Sequence, residues 1–126
     1  WQQIHKHPAL GIKNRFGIPD CPERVHWEEE MARRVGAPGA YDYGPERCSW
    51  MSHVITNWIG DDAQLRNLYV EVRRHNLEGE LLTIEAEVTG KREDAGRKLV
   101  DFSLVAHNQD GELSARGRAT AELFHA

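Results

Sequence analysis

The chain has 126 residues, enough for one domain of roughly 100–150 residues with its own core. Hydrophobic residues make up 40% and charged residues 29%, a composition that excludes a disordered chain. The formal net charge is -4 with scattered basic residues, and no apolar run approaches the ~20 residues that cross a bilayer. We therefore expect no nucleic-acid partner and no membrane partner. Cys21 and Cys48 are too few for a disulfide framework, so a cytoplasmic location is expected.

The first part of the chain predicts an irregular segment and then a short helix. Residues 9–25 contain two glycines and two prolines and predict a loop, within an irregular segment over residues 1–25. Such a long loop is uncommon in a compact domain unless it lines a site or covers a partner. Trp27 to Val35 predicts a helix, because glutamates fill its first turn and arginines its last. Gly36 is expected to end it.

The next predicted element is a long amphipathic helix that begins at Tyr43 and Gly44. Pro45 suits the first turn of a helix, and Gly60 is expected to end it. Apolar residues at the spacing i, i+3, i+4 and i+7 form one stripe, which consists of Met51, Val54, Ile55 and Trp58.

The rest of the chain alternates apolar and polar residues with a period of two, which is typical of half-buried strands. The apolar positions run from Leu68 to Val72, from Leu82 to Val88, from Val100 to Ala106 and from Leu113 to Leu123. Hairpin turn signals separate them at residues 77–80, 94–97 and 108–111. The sequence therefore predicts a single α+β domain over residues 1–126, with one long helix packed against one face of an antiparallel meander sheet.

Several segments between Val25 and Arg73 resemble a known family. They are His26–Glu29, Ala32–Gly39, Tyr41–Gly44 and Thr56–Asp62. With the strand pattern after them, the chain resembles the MaoC-like acyl dehydratases, the (R)-specific enoyl-CoA hydratase group. The resemblance implies the hot-dog fold, in which an antiparallel sheet wraps one long central helix.

The resemblance also implies an activity, the hydration of a trans-2-enoyl-CoA or the reverse dehydration. CoA is then part of the substrate, and no other cofactor and no metal is implied. In this family an Asp and a His on one loop activate a water, and a backbone N–H at the start of the helix holds the thioester oxygen. By position, His26 matches the family histidine and Gly44 the helix-start glycine. Tyr41, Asp42 and Tyr43 are expected to line the acyl pocket.

The family motif reads Asp-x-Asn-Pro-apolar-His, and this chain departs from it. Cys21 stands where the motif has Asp, and Asp20 lies one residue earlier. Glu23 and Arg24 stand at the Asn and Pro positions before His26. Three interpretations are open: an insertion lets Asp20 reach the water, Glu23 takes its place in the substrate site, or the acid–base pair is broken.

Two other functions are alternatives. In this family two hot-dog domains pair and one of them often lacks the acid–base pair, so this chain is alternatively the non-catalytic, acyl-CoA-binding subunit of a hetero-oligomeric hydratase. The third function is a hot-dog acyl-CoA thioesterase, for which Glu46 is the carboxylate near the helix start. In each case we expect an acyl-CoA ligand and a homodimer or a hetero-oligomer with another hot-dog subunit.

Overall fold

The structure is a computed structural model that describes residues 5–6 and 11–124. It forms two compact units, of which the first ends at Tyr41 and the second begins at Asp42. One domain over residues 1–126 therefore stays a prediction. Within the described residues, no helix is long and apolar enough to cross a membrane.

The first unit contains short regular elements, and those before α1 lie mainly where the sequence predicted a loop. In chain order they are β1 (Ile12–Lys13), β2 (Pro19–Asp20), a 3-10 helix (Pro22–His26) and α1 (Glu29–Arg34). β1 and β2 pair antiparallel. The side-chain oxygen of Asn14 closes the turn between them, because it accepts the N–H groups of Phe16 at 2.9 Å and Ile18 at 3.2 Å.

α1 begins at Glu29 and not at Trp27, because Trp27 and Glu28 are hydrogen-bonded back to the 3-10 helix. The N–H groups of Trp27 and Glu28 donate to the Arg24 carbonyl at 3.1 and 2.7 Å. The helix ends at Arg34 with Val35 as its C-cap, slightly earlier than the predicted Val35. Gly36 follows it as the predicted stop, and its φ of 89° favours glycine. The buried apolar side chains of this unit form one cluster, which consists of Val25, Met31, Ala32 and Ala37.

The second unit combines one long helix with a four-stranded antiparallel sheet. Its elements are α2 (Gly44–Ile59), β3 (Ala63–Val72), β4 (Leu82–Asp94), β5 (Arg97–Asn108) and β6 (Leu113–Leu123). The bounds of α2 confirm the prediction, with Tyr43 as N-cap and Gly60 as C-cap. β3 begins at Ala63, earlier than the predicted Leu68. The alternation of apolar and polar residues did not reveal this start, because the pairing register shifts between Leu65 and Asn67 and interrupts the period of two.

The strand order in the sheet is β3-β6-β5-β4. The turns at residues 94–97 and 108–111 join neighbouring strands and confirm two of the three predicted hairpins. The third prediction is wrong, because β3 and β4 lie at opposite edges of the sheet. Residues 77–80 do form a tight turn, in which the Glu80 N–H donates to the Leu77 carbonyl at 3.0 Å, but that turn lies within a longer connection.

α2 packs against one face of the sheet, which confirms the predicted α+β arrangement. Met51, Ile55 and Ile59 are its buried apolar side chains. They form one core with residues of β5 and β6, namely Val100, Phe102, Leu104, Ala106, Ala115, Ala119 and Ala121. The predicted stripe is confirmed at Met51 and Ile55 and wrong at Trp58, which is 59% exposed. The Trp58 ring makes an edge contact with the Phe102 ring, with 5.3 Å between centroids.

Gly117 in β6 is required by close packing. A Cβ atom there would lie 2.5 Å from the Tyr69 carbonyl oxygen and 3.5 Å from the Met51 methyl carbon. The Tyr69 backbone cannot move away freely, because β3 pairs with β6 along this stretch. We expect Gly117→Ala to lower the free energy of unfolding by about 1–3 kcal/mol, measured by urea denaturation.

Gly90 in β4 provides the matched control for that substitution. A Cβ atom at Gly90 would meet an Asp101 carboxylate oxygen at 3.8 Å, an ordinary van der Waals distance. Gly90→Ala should therefore change the free energy of unfolding by no more than ~0.5 kcal/mol. Equal urea midpoints for the two variants would contradict the packing role of Gly117.

Candidate functional site

Asp20 lies at the end of β2, and two hydrogen bonds hold its carboxylate. The Cys21 N–H donates to Oδ1 at 2.8 Å, and Asn14 Nδ2 donates to Oδ2 at 3.1 Å. The Cys21 bond first, and then the Asn14 bond, lower the pKa of Asp20; burial opposes them, and the charge of Arg24 adds a smaller lowering effect. Asp20 is therefore ionised at neutral pH and a weak base, so it is better suited to orient a water than to take its proton.

His26 is half-buried and is the last residue of the 3-10 helix. Its Nδ1 lies 2.8 Å from the Tyr41 carbonyl oxygen. A carbonyl only accepts hydrogen bonds, so Nδ1 carries the proton and the neutral ring has its lone pair on Nε2. The Tyr41 ring packs edge-on against the imidazole, with centroids 4.9 Å apart and planes at 82°. These contacts fix one tautomer and one orientation, as general base catalysis requires.

Cys21 stands where the family motif has its carboxylate. Burial first, and then the neighbouring Glu23, raise the pKa of the Cys21 thiol, so it stays neutral at pH 7. Cys21 therefore does not supply the negative charge of the motif. Asp20 and the exposed Glu23 are the carboxylates between β2 and His26.

The N-terminus of α2 presents a backbone donor. The Tyr43 carbonyl accepts the N–H groups of Glu46 at 2.9 Å and Arg47 at 3.2 Å, and Pro45 has no N–H. The Gly44 N–H meets no backbone acceptor among the described residues, and a Cβ on Gly44 would meet no heavy atom within 4 Å. Since a helix N-terminus carries partial positive charge, this N–H can bind a carbonyl oxygen that becomes negative during a reaction.

A buried ion pair holds the chain in place at this helix end. The side chains of Arg47 and Asp42 are only 2% and 9% exposed. Arg47 Nε donates to Asp42 Oδ2 at 2.7 Å, and Arg47 Nη2 donates to Oδ1. Arg47 Nη1 also donates to the carbonyl of Arg74 at 2.6 Å. The pair therefore ties the start of α2 to the chain segment that follows β3.

Asn76 and Ser114 complete this network. The Asn76 N–H and Nδ2 both donate to the Asp42 carboxylate at 3.3 Å, and the Asp42 N–H donates to the Asn76 carbonyl at 2.9 Å. Ser114 Oγ in turn donates to Asn76 Oδ1. Because these groups are buried and mutually satisfied, they fix the backbone that leads into Gly44.

Solved structures of other proteins share this architecture. A MaoC-like dehydratase from Rhodospirillum rubrum aligns with a TM-score of 0.72 at 19% identity, over 83% of this chain and 76% of that chain. An (R)-hydratase from A. caviae involved in PHA biosynthesis gives 0.71 at 21% identity, over 79% and 75%. The ChsH1-ChsH2 complex from Mycobacterium tuberculosis gives 0.69 at 17% identity, over 79% and 75%. No protein-family model and no curated protein matches the chain.

The chain has the hot-dog fold. Its structural neighbours include MaoC-like dehydratases and (R)-hydratases, the group that the sequence resembles. The fold implied by the resemblance is therefore confirmed. At these low identities the likeness shows the fold alone, so activity, substrate and assembly stay predictions.

Arg47 was not among the predicted site residues, although the sequence carries a signal for it. It precedes Met51 and Ile55 at intervals of four, so it lies on the buried face of the hot-dog helix, α2. A charged residue on an apolar stripe requires a buried partner. Asp42, just before the helix, is the acidic residue that the structure pairs with it.

The residues predicted to bind the acyl group lie in different surroundings. Tyr41 is half-buried, and its backbone carbonyl accepts the hydrogen bond from His26. Tyr43, at the start of the hot-dog helix, is 52% exposed. Asp42 forms the buried ion pair with Arg47, so Asp42 has a structural role. Their contacts with substrate stay predictions. The described residues contain no group of three or more His, Cys, Asp or Glu side chains that could hold a metal ion.

Proposed function

We propose that this chain is an acyl-thioester hydratase or dehydratase, which adds water to a 2-enoyl-CoA or removes it from a 3-hydroxyacyl-CoA. The observation that carries this function is the contact of His26 Nδ1 with the Tyr41 carbonyl oxygen at 2.8 Å, from which we infer that Nδ1 carries the ring proton. Nε2 is then the basic nitrogen of the ring. Further support is the hot-dog fold, which this chain shares with an (R)-hydratase and a MaoC-like dehydratase.

In the hydration direction, His26 Nε2 takes a proton from a water whose oxygen bonds to the β-carbon of the substrate. The electron pair of the carbon–carbon double bond moves toward the thioester carbonyl and gives an enolate. Asp20 accepts a hydrogen bond from the water and orients it, and the Gly44 N–H donates to the enolate oxygen. The proton on His26 then passes to the α-carbon as the carbonyl re-forms. Dehydration follows the same steps in reverse.

Replacing Gly44 by proline tests the donor, because it removes one N–H and changes little else. Tyr43 has φ -82° and ψ 126°, which a following proline accepts, and proline is favoured at the first helical position. We expect Gly44→Pro to lower kcat by about 10²–10³-fold in an enoyl-CoA hydration assay, with an unchanged melting temperature.

Gly44→Ala is the matched control, since it keeps the N–H and places its methyl group in open space. It should retain most of the activity. The donor role is excluded if the proline variant is as active as the wild type, or if both variants lose the same activity.

A second candidate is the non-catalytic subunit of a hetero-oligomeric hydratase. Two observations favour it. Both oxygens of the Asp20 carboxylate already accept hydrogen bonds from Asn14 and Cys21, so this acid is not wholly available to a water. One structural neighbour, ChsH1-ChsH2, is a complex of two proteins. Under either function we propose that the chain assembles with a hot-dog partner, a second copy or a different subunit.

The functions are separated by incubating the purified chain with a 2-enoyl-CoA while following the enoyl-thioester absorbance and the release of free thiol. Loss of absorbance without thiol release is the result expected of a hydratase. Thiol release that disappears in Glu46→Gln would identify a thioesterase. Tight binding of the thioester with neither reaction would identify the non-catalytic subunit.

A further inference from the structure

The first unit contains a cavity of about 220 Å³, room for several waters of about 30 Å³ each. It lies between the β1–β2 hairpin, the 3-10 helix and α1. Four cationic and two acidic side chains line it, namely Lys13, Arg15, Arg24, Arg34, Glu28 and Glu30. The lining therefore has an excess of two positive formal charges. Neither His26 nor Asp20 is part of it.

Arg24 is the buried member of this lining, at 2% exposure. Its Nη2 donates to the Lys13 carbonyl at 3.1 Å and contacts the Met31 sulfur at 3.7 Å. Its Nε lies 3.6 Å from a Glu28 carboxylate oxygen, too far for a hydrogen bond. Within the described part of the chain, the N–H groups on Nε and Nη1 have no hydrogen-bond partner.

A buried guanidinium with unpaired N–H groups lowers the stability of the fold unless an acceptor binds them. A buried donor left unsatisfied costs about 1–3 kcal/mol, and more when it is charged. Glu28 balances part of the Arg24 charge but accepts no hydrogen bond from it. The remaining cations, Lys13, Arg15 and Arg34, attract an acceptor of negative charge.

We propose that this cavity binds a phosphate-type anion, held by Arg24 and surrounded by Lys13, Arg15 and Arg34. A phosphate group presents several strong acceptor oxygens, and the planar fork of an arginine donates to such oxygens in pairs. The anion is either free phosphate or pyrophosphate, or a phosphate group of a larger molecule such as coenzyme A. The site is independent of the proposed hydration, because binding needs no turnover.

The test is isothermal titration calorimetry of the whole chain with pyrophosphate and with inorganic phosphate, at constant ionic strength. We expect the wild type to bind pyrophosphate. The double variant Lys13→Ala/Arg34→Ala removes two exposed lining cations and should weaken binding by about tenfold, since each charge contact contributes a few-fold. Arg24→Met should weaken pyrophosphate binding further. If Arg24→Met does not fold, the double variant alone tests the site.

The control is Arg33→Ala/Lys91→Ala, which has the same net charge as the double variant. Both residues are exposed and lie outside the cavity. The control should bind pyrophosphate as the wild type does. No binding by the wild type, or equal weakening in the test and control variants, would overturn the site.

A parallel titration with coenzyme A distinguishes the two sources of phosphate. A tenfold loss of coenzyme A affinity in Lys13→Ala/Arg34→Ala would assign the cavity to its phosphate groups. Unchanged coenzyme A affinity, together with weakened pyrophosphate binding, would assign it to the free anion. Either result stands even if the chain proves inactive as a hydratase.

Discussion

Replacing His26 by alanine should lower kcat for 2-enoyl-CoA hydration by about 10²–10⁴-fold and change KM little. The substitution removes the nitrogen that accepts the proton of water but removes no group assigned to substrate binding. The half-buried position of His26 at the end of the 3-10 helix makes a large loss of stability unexpected. The measurement is steady-state hydration kinetics beside the melting temperature of each variant.

His53→Ala is the matched control, because His53 is exposed on the hot-dog helix. It should leave kcat unchanged. In the same assay, a larger loss in Asp20→Asn than in Glu23→Gln would identify Asp20 as the carboxylate that orients the water. Full turnover by His26→Ala would remove His26 from the reaction.

Replacing Arg47 by methionine should lower the free energy of unfolding by about 3–5 kcal/mol. The change leaves the Asp42 carboxylate, 9% exposed, without the guanidinium that neutralises it. It also removes a donor from the Arg74 and Ser114 carbonyls, at 2.6 and 3.3 Å. Urea denaturation measures the loss.

Two further variants determine whether the loss comes from the unpaired charge. Asp42→Asn/Arg47→Met removes the charge from both partners and should recover part of the stability. Arg33→Ala breaks an ion pair with Glu29 whose side chains are 64% and 63% exposed, and should cost no more than ~1 kcal/mol. If Arg47→Met unfolds at the same urea concentration as Arg33→Ala, the buried pair does not stabilise the fold.

Local signals explain the part of the fold that the sequence predicted. α2 has the predicted bounds because Pro45 and Gly60 mark its ends in the sequence itself. β3 was predicted too short because the register shift near Leu65 depends on the partner strand. The place of β3 beside β6 is also set by pairing between distant residues, so the turn at residues 77–80 did not reveal it.

The same distinction holds for the candidate site. The place of Gly44 at the start of the hot-dog helix could be predicted, because Pro45 marks the first helical turn in the sequence, whereas its role as a donor stays a prediction. The hydrogen bond that Asn14 donates to Asp20 depends on the β1–β2 hairpin, which a segment rich in glycine and proline did not indicate. The burial of Arg24 likewise depends on contacts with Lys13 and Met31, which its neighbours in the sequence do not predict.

The most direct test of the proposed function is to incubate the purified chain alone with a 2-enoyl-CoA and to identify the product by mass spectrometry. The fixed His26 tautomer predicts a 3-hydroxyacyl-CoA, heavier than the substrate by one water. Recovery of the unchanged substrate, under conditions where calorimetry shows that it binds, would contradict a self-sufficient hydratase.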